Sequence, residues 1–185
     1  MTRRARLGFA LGLGVAAAGA AAAVPLAGPS RAPQGEWQEI RWPFPRDAWP
    51  AGRAFRCGGA GCGGPMEVYV RPKVGFCNCA TGVSGDAEVD GVSDLDMISP
   101  DFRPLAPGQP LAVGNMVGRV RRYALTTADG RDHAAAGFAI SARCDLIAAA
   151  ALGPAADTDE ARHGIATLLE TPDVAGWIRS KLGKA

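Results

Sequence analysis

Strict alternation of apolar and polar positions occurs in two neighbouring stretches, and together they predict a β-hairpin. Met116–Thr126 places Arg119, Arg121 and Tyr123 on one side and Val120, Arg122 and Ala124 on the other. Ala136–Leu146 sets Phe138, Ile140, Ala142, Cys144 and Leu146 on a single face. Between them Asp129-Gly130 supplies a turn that tolerates positive φ. Further upstream, Met66–Cys79 reads as a long strand: Val68, Val70, Val74 and Phe76 share one face, while Tyr69, Arg71, Lys73, Cys77 and Cys79 share the other. Pro72 interrupts it and predicts an edge position or a bulge. A shorter alternating stretch, Glu36–Trp42, turns Ile40 and Trp42 to one side before Pro43 and Pro45 end it.

The periodicity changes near the C-terminus. Asp157 with Glu160 three residues on has the form of a capping box, opening a helix whose apolar positions include Ala161, Ile165, Leu168 and Leu169. Thr171-Pro172-Asp173 predicts a second start, with Thr171 as N-cap, Pro172 at the first helical position and an acid at the positive end of the dipole. Val174, Trp177, Ile178 and Leu182 then form one stripe, and Gly183 is a stop signal. Strands that each bury one face, followed by two amphipathic helices, predict an α+β fold: a single domain with an antiparallel β-sheet and C-terminal helices packed on one face. Residues 80–112 show little periodicity and read as a long loop with one helical turn, a kind of segment that is often functional.

The first 26 residues follow a different pattern. Three arginines within Met1–Arg6 precede twenty uncharged residues, Leu7–Leu26. A basic end followed by an apolar stretch predicts a signal peptide or an N-terminal membrane anchor that leaves the rest of the chain on the outer side. Twenty helical residues span about 30 Å, enough for the hydrocarbon core. Ala21-Ala22-Ala23 offers a small-residue cleavage site, and Arg3-Arg4 raises the twin-arginine export route alongside the general one. Residues 27–35, rich in Pro and Gly, read as a linker to a domain over residues 36–185. The expected location is the periplasm of a bacterial-type cell or the outer face of its cytoplasmic membrane, with residues 7–26 holding the chain there if uncleaved.

Composition agrees with a folded domain: 48% of the 185 residues are hydrophobic and 21% charged, which excludes a disordered chain and a many-pass membrane protein. Four of the 20 Lys and Arg lie in residues 1–32, where there is no acid, so residues 33–185 carry 16 bases against 18 acids. No basic excess is left to neutralise phosphates, and a nucleic-acid partner is not expected.

Five cysteines follow the leader. In an oxidising compartment, disulfides are the plain reading for Cys57, Cys62, Cys77 and Cys79. Same-face neighbours on a strand stand nearly 7 Å apart at Cα and pair poorly, so bridges from the Cys57/Cys62 loop to Cys77 and Cys79 are expected, with Cys144 left as a buried thiol. The alternatives are a zinc or iron–sulfur site built from the same four residues, although their spacing matches no common ribbon or ferredoxin pattern, or a redox-active thiol pair.

Asp86-x-Glu88-x-Asp90-Gly91 resembles the opening of a calcium-binding EF-hand loop, but Met97 stands where the closing bidentate acid belongs. A solvated acidic loop, or one paired with Arg119, Arg121 and Arg122, is the competing reading. His133 and His163 read as ordinary surface residues, and no nucleophile elbow, zinc-protease or phosphate-loop motif occurs. The chain therefore reads as an exported, non-catalytic binding or assembly module. No cofactor is expected, and the protein or small-ligand partner would sit on the side formed by residues 80–112. A metal or iron–sulfur carrier and a thiol–disulfide oxidoreductase are the alternatives.

Overall fold

The computed structural model describes residues 37–45 and 47–182. The predicted leader and linker, residues 1–35, lie outside the described residues. Within them the chain forms one antiparallel sheet: β1 (Gln38–Ile40), β2 (Arg53–Cys57), β3 (Met66–Lys73), β4 (Phe102–Pro104), β5 (Gln109–Val113), β6 (Met116–Thr126), β7 (Asp132–Ala142) and β8 (Asp145–Leu152). The spatial order is β1-β2-β3-β8-β7-β6, with β4 and β5 both pairing along the outer side of β6. Three helices accompany it: α1 (Asp86–Val92), α2 (Asp159–Glu170) and α3 (Pro172–Lys181). This is the expected α+β architecture, and among these helices none is long and apolar enough to cross a membrane.

The predicted hairpin exists, but it closes earlier and continues further. β6 and β7 pair from Val117↔Ser141 to Thr126↔Asp132. The chain then turns at Arg143, a non-glycine residue with φ of 62°, into β8. Cys144 and Leu146 therefore belong to this turn and to the next strand, and not to the face of β7. β8, with the sequence Asp-Leu-Ile-Ala-Ala-Ala-Ala-Leu, is buried on both faces at Leu146–Ala151. Four successive alanines show no alternation and have weak strand preference, so periodicity does not reveal it. They suit the middle of a sheet covered on both sides, where β3 and β7 flank β8.

β3 ends at Lys73 and not at Cys79. Pro72 stays inside it opposite Ile147, beyond the end of β2, which stops opposite Val70. A strand with one neighbour instead of two can dispense with an N–H there. The 80–112 segment is more ordered than its composition suggests, holding α1, a 3-10 turn at Leu95–Met97, β4 and β5.

Alternation decides what each side of the sheet carries. Phe55, Val68, Val70, Val120, Phe138, Ile140, Ile147, Ala149 and Ala151 face α2 and α3, meeting Ile165, Leu168, Leu169, Val174 and Ile178 in the main core. The N-cap of α2 is Thr158, whose Oγ1 accepts from the Ala161 N–H at 3.1 Å, one residue after the predicted Asp157. Pro172 opens α3 as expected, but the Thr171 hydroxyl donates back to the Leu168 carbonyl and does not cap it. Arg53 fixes the start of α3 by bridging Glu39 on β1 and Asp173, at 2.8 Å and 2.6 Å. Gly164 lets α2 approach closely: a Cβ there would lie 2.8 Å from the Cys62 Cα.

The opposite side of the sheet is covered by α1, the 3-10 turn and the Trp42–Phe44 segment. Ala54, Tyr69, Leu95, Tyr123, Leu125, Ala135 and Ala150 form one apolar cluster there, and Val89, Ala139, Leu146 and Ala148 another. Gly137 has no side chain because Ser93 occupies its place; a Cβ would lie 2.6 Å from Ser93 Oγ.

Candidate functional site

On β3 the positions opposite Val68 and Val70 are Glu67, Tyr69, Arg71 and Lys73, so two cations are driven beneath the second cover of the sheet. Arg71, Lys73 and Asp94 are 3%, 4% and 8% exposed. Burying charge is tolerable only with partners. Arg71 grips Asp94 in a fork, Nε to Oδ2 at 2.9 Å and Nη2 to Oδ1 at 2.8 Å. Its Nη1 reaches Asp47 Oδ2 at 2.6 Å. Lys73 Nζ donates to Asp94 Oδ1 at 2.6 Å and to the Val92 carbonyl at 3.0 Å. Asp94 holds this position with φ of 62°, a left-handed conformation that Asp tolerates better than most side chains.

An aromatic cover completes the cluster. Trp42, Phe44 and Tyr69 meet edge to face, with Arg71 6.0 Å from the Trp42 ring centre. Lys73 Nζ lies 5.9 Å from Trp49 and 5.2 Å from Phe76. Among the described residues of the Pro-rich stretch 43–50, the ionic latch Arg71–Asp47 and ring contacts hold the chain to the sheet.

That latch responds to acid. The hydrogen bond from Arg71 holds the Asp47 carboxyl below its ordinary range. A depressed folded-state pKa means that the contribution is present above the unfolded value and is lost as pH falls through the folded one. Acidification is therefore expected to release the 43–50 stretch, seen as a change in Trp49 emission. Asp47→Asn should show the released emission at neutral pH and should lose the acid transition. A native-like signal in Asp47→Asn at neutral pH would refute the latch.

A second charged group ties α1 to β6. Arg119 Nη2 donates to Asp86 Oδ1 at 2.6 Å, and Arg121 Nη1 to Asp90 Oδ2 at 2.6 Å. The Tyr123 hydroxyl donates to Asp90 Oδ1 at 2.5 Å, and burial, followed by the Asp90 carboxylate, pushes its pKa well up. The Gly108 N–H and then Arg119 hold Asp86 in its ionised form. Glu88 turns back to the Ser84 and Gly85 N–H groups at the start of α1.

Of the candidate calcium residues, Asp86, Glu88 and Asp90, each is thus committed to a different internal partner. The pairing of this acidic stretch with Arg119 and Arg121 was one of the two competing expectations. Arg122 behaves differently, directed at the Asp157 carbonyl on the other side of the sheet. Among the described residues no three His, Cys, Asp or Glu side chains are grouped to hold a metal ion.

The cysteines pair differently from the expectation. Cys57 bonds Cys62, and Cys79 bonds Cys144; Cys77 is the free thiol. The 3-10 turn at Ala60–Cys62 folds the Gly-rich loop back on itself, so Cys62 returns to Cys57 without reaching Cys77 or Cys79. Because β3 ends at Lys73, Cys77 and Cys79 are not strand neighbours, and the chain carries Cys79 to the β7–β8 turn where Cys144 stands exposed. Three of the four residues proposed for a zinc or iron–sulfur site are therefore disulfide-bonded and cannot offer thiolates. The exposed turn was hidden from sequence by the apparent continuity of Ala136–Leu146.

A concave surface lies elsewhere. Trp49, Pro50, Ala51, Pro72, Val74, Trp177 and Lys181 line a cleft of about 140 Å³ between the Pro-rich stretch, the end of β3 and the last turn of α3. Its walls are mainly apolar, and its neighbours Val74 and Phe76 are 52% and 44% exposed. Lys181 stands at its edge with no carboxylate partner among the described residues. A second hollow, beside Arg122, Arg162 and the start of α2, has room of about 20 Å³, roughly one water molecule. No local sequence signal links Trp49 with Trp177.

No protein-family model matches the chain, and no curated protein matches it. Among solved structures it is similar to PA94 of Pseudomonas aeruginosa, a protein of unknown function, at 14% identity and a TM-score of 0.42, over 74% of this chain and 96% of that one.

Proposed function

We propose that the chain is an exported, disulfide-braced binding module that receives an extended segment of a partner protein. An apolar side chain of that segment enters the Trp49–Trp177 cleft, and an acidic group lies against Lys181. The observation that supports this reading is the cleft itself: a concave, mainly apolar surface with two tryptophans and the exposed Val74, bordered by exposed Phe76, and with one cation, Lys181, that has no carboxylate partner among the described residues. Exposed apolar surface of this kind marks interaction sites, and aromatic anchors in pockets carry most of the affinity of an interface. The side formed by residues 80–112 supports binding less well, because Asp86, Glu88 and Asp90 are engaged within the chain. Two disulfides favour the oxidising compartment that the leader predicts.

The test is titration of the purified protein with short synthetic peptides in which Phe or Leu stands one or two residues from an Asp. Binding is expected to weaken by about 30-fold or more in Trp177→Ala, as for the loss of a central anchor, and to weaken less in Lys181→Ala. Circular dichroism serves to show that both variants are folded. Peptides that bind Trp177→Ala as well as the unaltered chain would overturn the cleft as the site. Full-length protein retained in the cytosol on cell fractionation would overturn the export.

A further inference from the structure

Three of the five cysteines meet at one exposed corner of the sheet. The Cys77 N–H donates to the Cys144 carbonyl at 3.1 Å, and Cys144 is bonded to Cys79. That hydrogen bond sets the Cys77 backbone directly beside that of Cys144. The Cys77 thiol is half-buried, with its Sγ 3.5 Å from Ser141 Oγ, while Cys79 and Cys144 both lie at the surface. The other bridge is unlike this one: Cys57 and Cys62 are buried under α2, with no free thiol beside them.

We propose that this corner is a thiol–disulfide exchange site in which Cys77 displaces Cys79 from Cys144. The Cys77 thiolate attacks Cys144 Sγ; the Cys79–Cys144 bond breaks as the Cys77–Cys144 bond forms. Cys79 leaves as a thiolate and takes up the proton that Cys77 gave to solvent. One disulfide replaces another, so no external oxidant or reductant is consumed. The new bond closes a loop only two residues longer, and the constraint on the unfolded chain is almost unchanged. What changes is which thiol is free: a half-buried Cys77 in one form, a surface Cys79 in the other. The corner thereby presents or withdraws a nucleophile able to form a mixed disulfide with a small disulfide or with a disulfide-bearing protein. The exchange needs only the Cys77 thiol and the Cys79–Cys144 bond and is independent of the cleft and its ligand.

The experiment uses the full oxidised chain. After incubation at mildly alkaline pH and an acid quench, free thiols are blocked with N-ethylmaleimide and the label is mapped by peptide mass spectrometry without reduction. Label on both Cys77 and Cys79, with a Cys77–Cys144 crosslinked peptide, is expected; label confined to Cys77 would overturn the proposal. As a second measurement, Cys79→Ser is treated with oxidised glutathione. It should lose two hydrogens by joining Cys77 to Cys144, whereas separate glutathione adducts on Cys77 and Cys144 in the folded variant would overturn it.

Discussion

Replacing Asp94 by alanine is expected to destabilise the protein by about 3–5 kcal/mol, the range for removing one partner of a buried ion pair. Asp94 is the only carboxylate that touches both Arg71 and Lys73 among the described residues, and all three are buried. Its loss leaves Lys73 with the Val92 carbonyl and two aromatic rings but no carboxylate among the described residues, and Arg71 with Asp47, which is 40% exposed and so is a weaker, hydrated partner. Asp94→Asn keeps the tolerance for the left-handed backbone but not the negative charge, so it should recover only the part of the loss that comes from the backbone. A triple variant, Arg71→Met with Lys73→Met and Asp94→Asn, removes the uncompensated cations and should be more stable than Asp94→Ala, because well-packed apolar groups often replace a buried ionic cluster at little cost. Urea unfolding of the three variants beside the unaltered chain decides the matter. A midpoint for Asp94→Ala within the error of the unaltered chain would show that the cluster adds nothing to stability.

The second large effect is expected from Cys144→Ser. The Cys79–Cys144 bond joins residues 65 apart in sequence and the Cys57–Cys62 bond residues 5 apart. By the chain-entropy relation for crosslinks, the first constrains the unfolded state by about 4 kcal/mol and the second by about 2 kcal/mol. Cys144 is the better residue to replace than Cys79, because without it neither Cys77 nor Cys79 can restore the long-range crosslink. The bond closes the corner where the chain leaving β3 meets the β7–β8 turn, and α1 follows within a few residues. Cys144→Ser is therefore expected to unfold at a lower denaturant concentration than Cys62→Ser. The reverse order would mean that burial of the Cys57–Cys62 bridge beneath α2 outweighs loop entropy.

Elements with a clean period were legible in the residues. β6 runs over Met116–Thr126 as the alternation predicts, and both terminal helices follow their apolar stripes, with α2 starting one residue late. β8 was not legible, because four alanines in a row carry no period and only a sheet covered on both faces gives them a place. The same omission misplaced Cys144: read as an inward position on a longer β7, it belongs to an exposed turn. The alternation also predicts a β3 six residues longer than Met66–Lys73, with Cys77 and Cys79 on a strand face that the structure does not have. With Cys144 placed out of reach and the Gly-rich loop's return at Ala60–Cys62 carrying no periodic mark, neither the Cys79–Cys144 nor the Cys57–Cys62 pairing is legible in the residues.

The charged residues show the same division. That the acids of 86–90 face Arg119 and Arg121 is open to sequence as one of three readings, since the pairing needs only opposite charges on neighbouring elements. The Arg71–Lys73–Asp94 cluster was not. Arg71 and Lys73 alternate with valines in a way that ordinarily marks a solvated face, and nothing local says that the chain will return to cover it.

Short-range regularities therefore settled the sheet-and-helix class, the central hairpin, the two closing helices and the mildly acidic, loop-rich character of the domain, because each depends on interactions within a few residues or across one turn. Which cysteines meet, which charges are buried together, and that Trp49 and Trp177 face one cleft were decided only when the chain packed. Those relations join positions tens of residues apart, and the covering of the second sheet face that creates them leaves no periodic mark on the residues it covers.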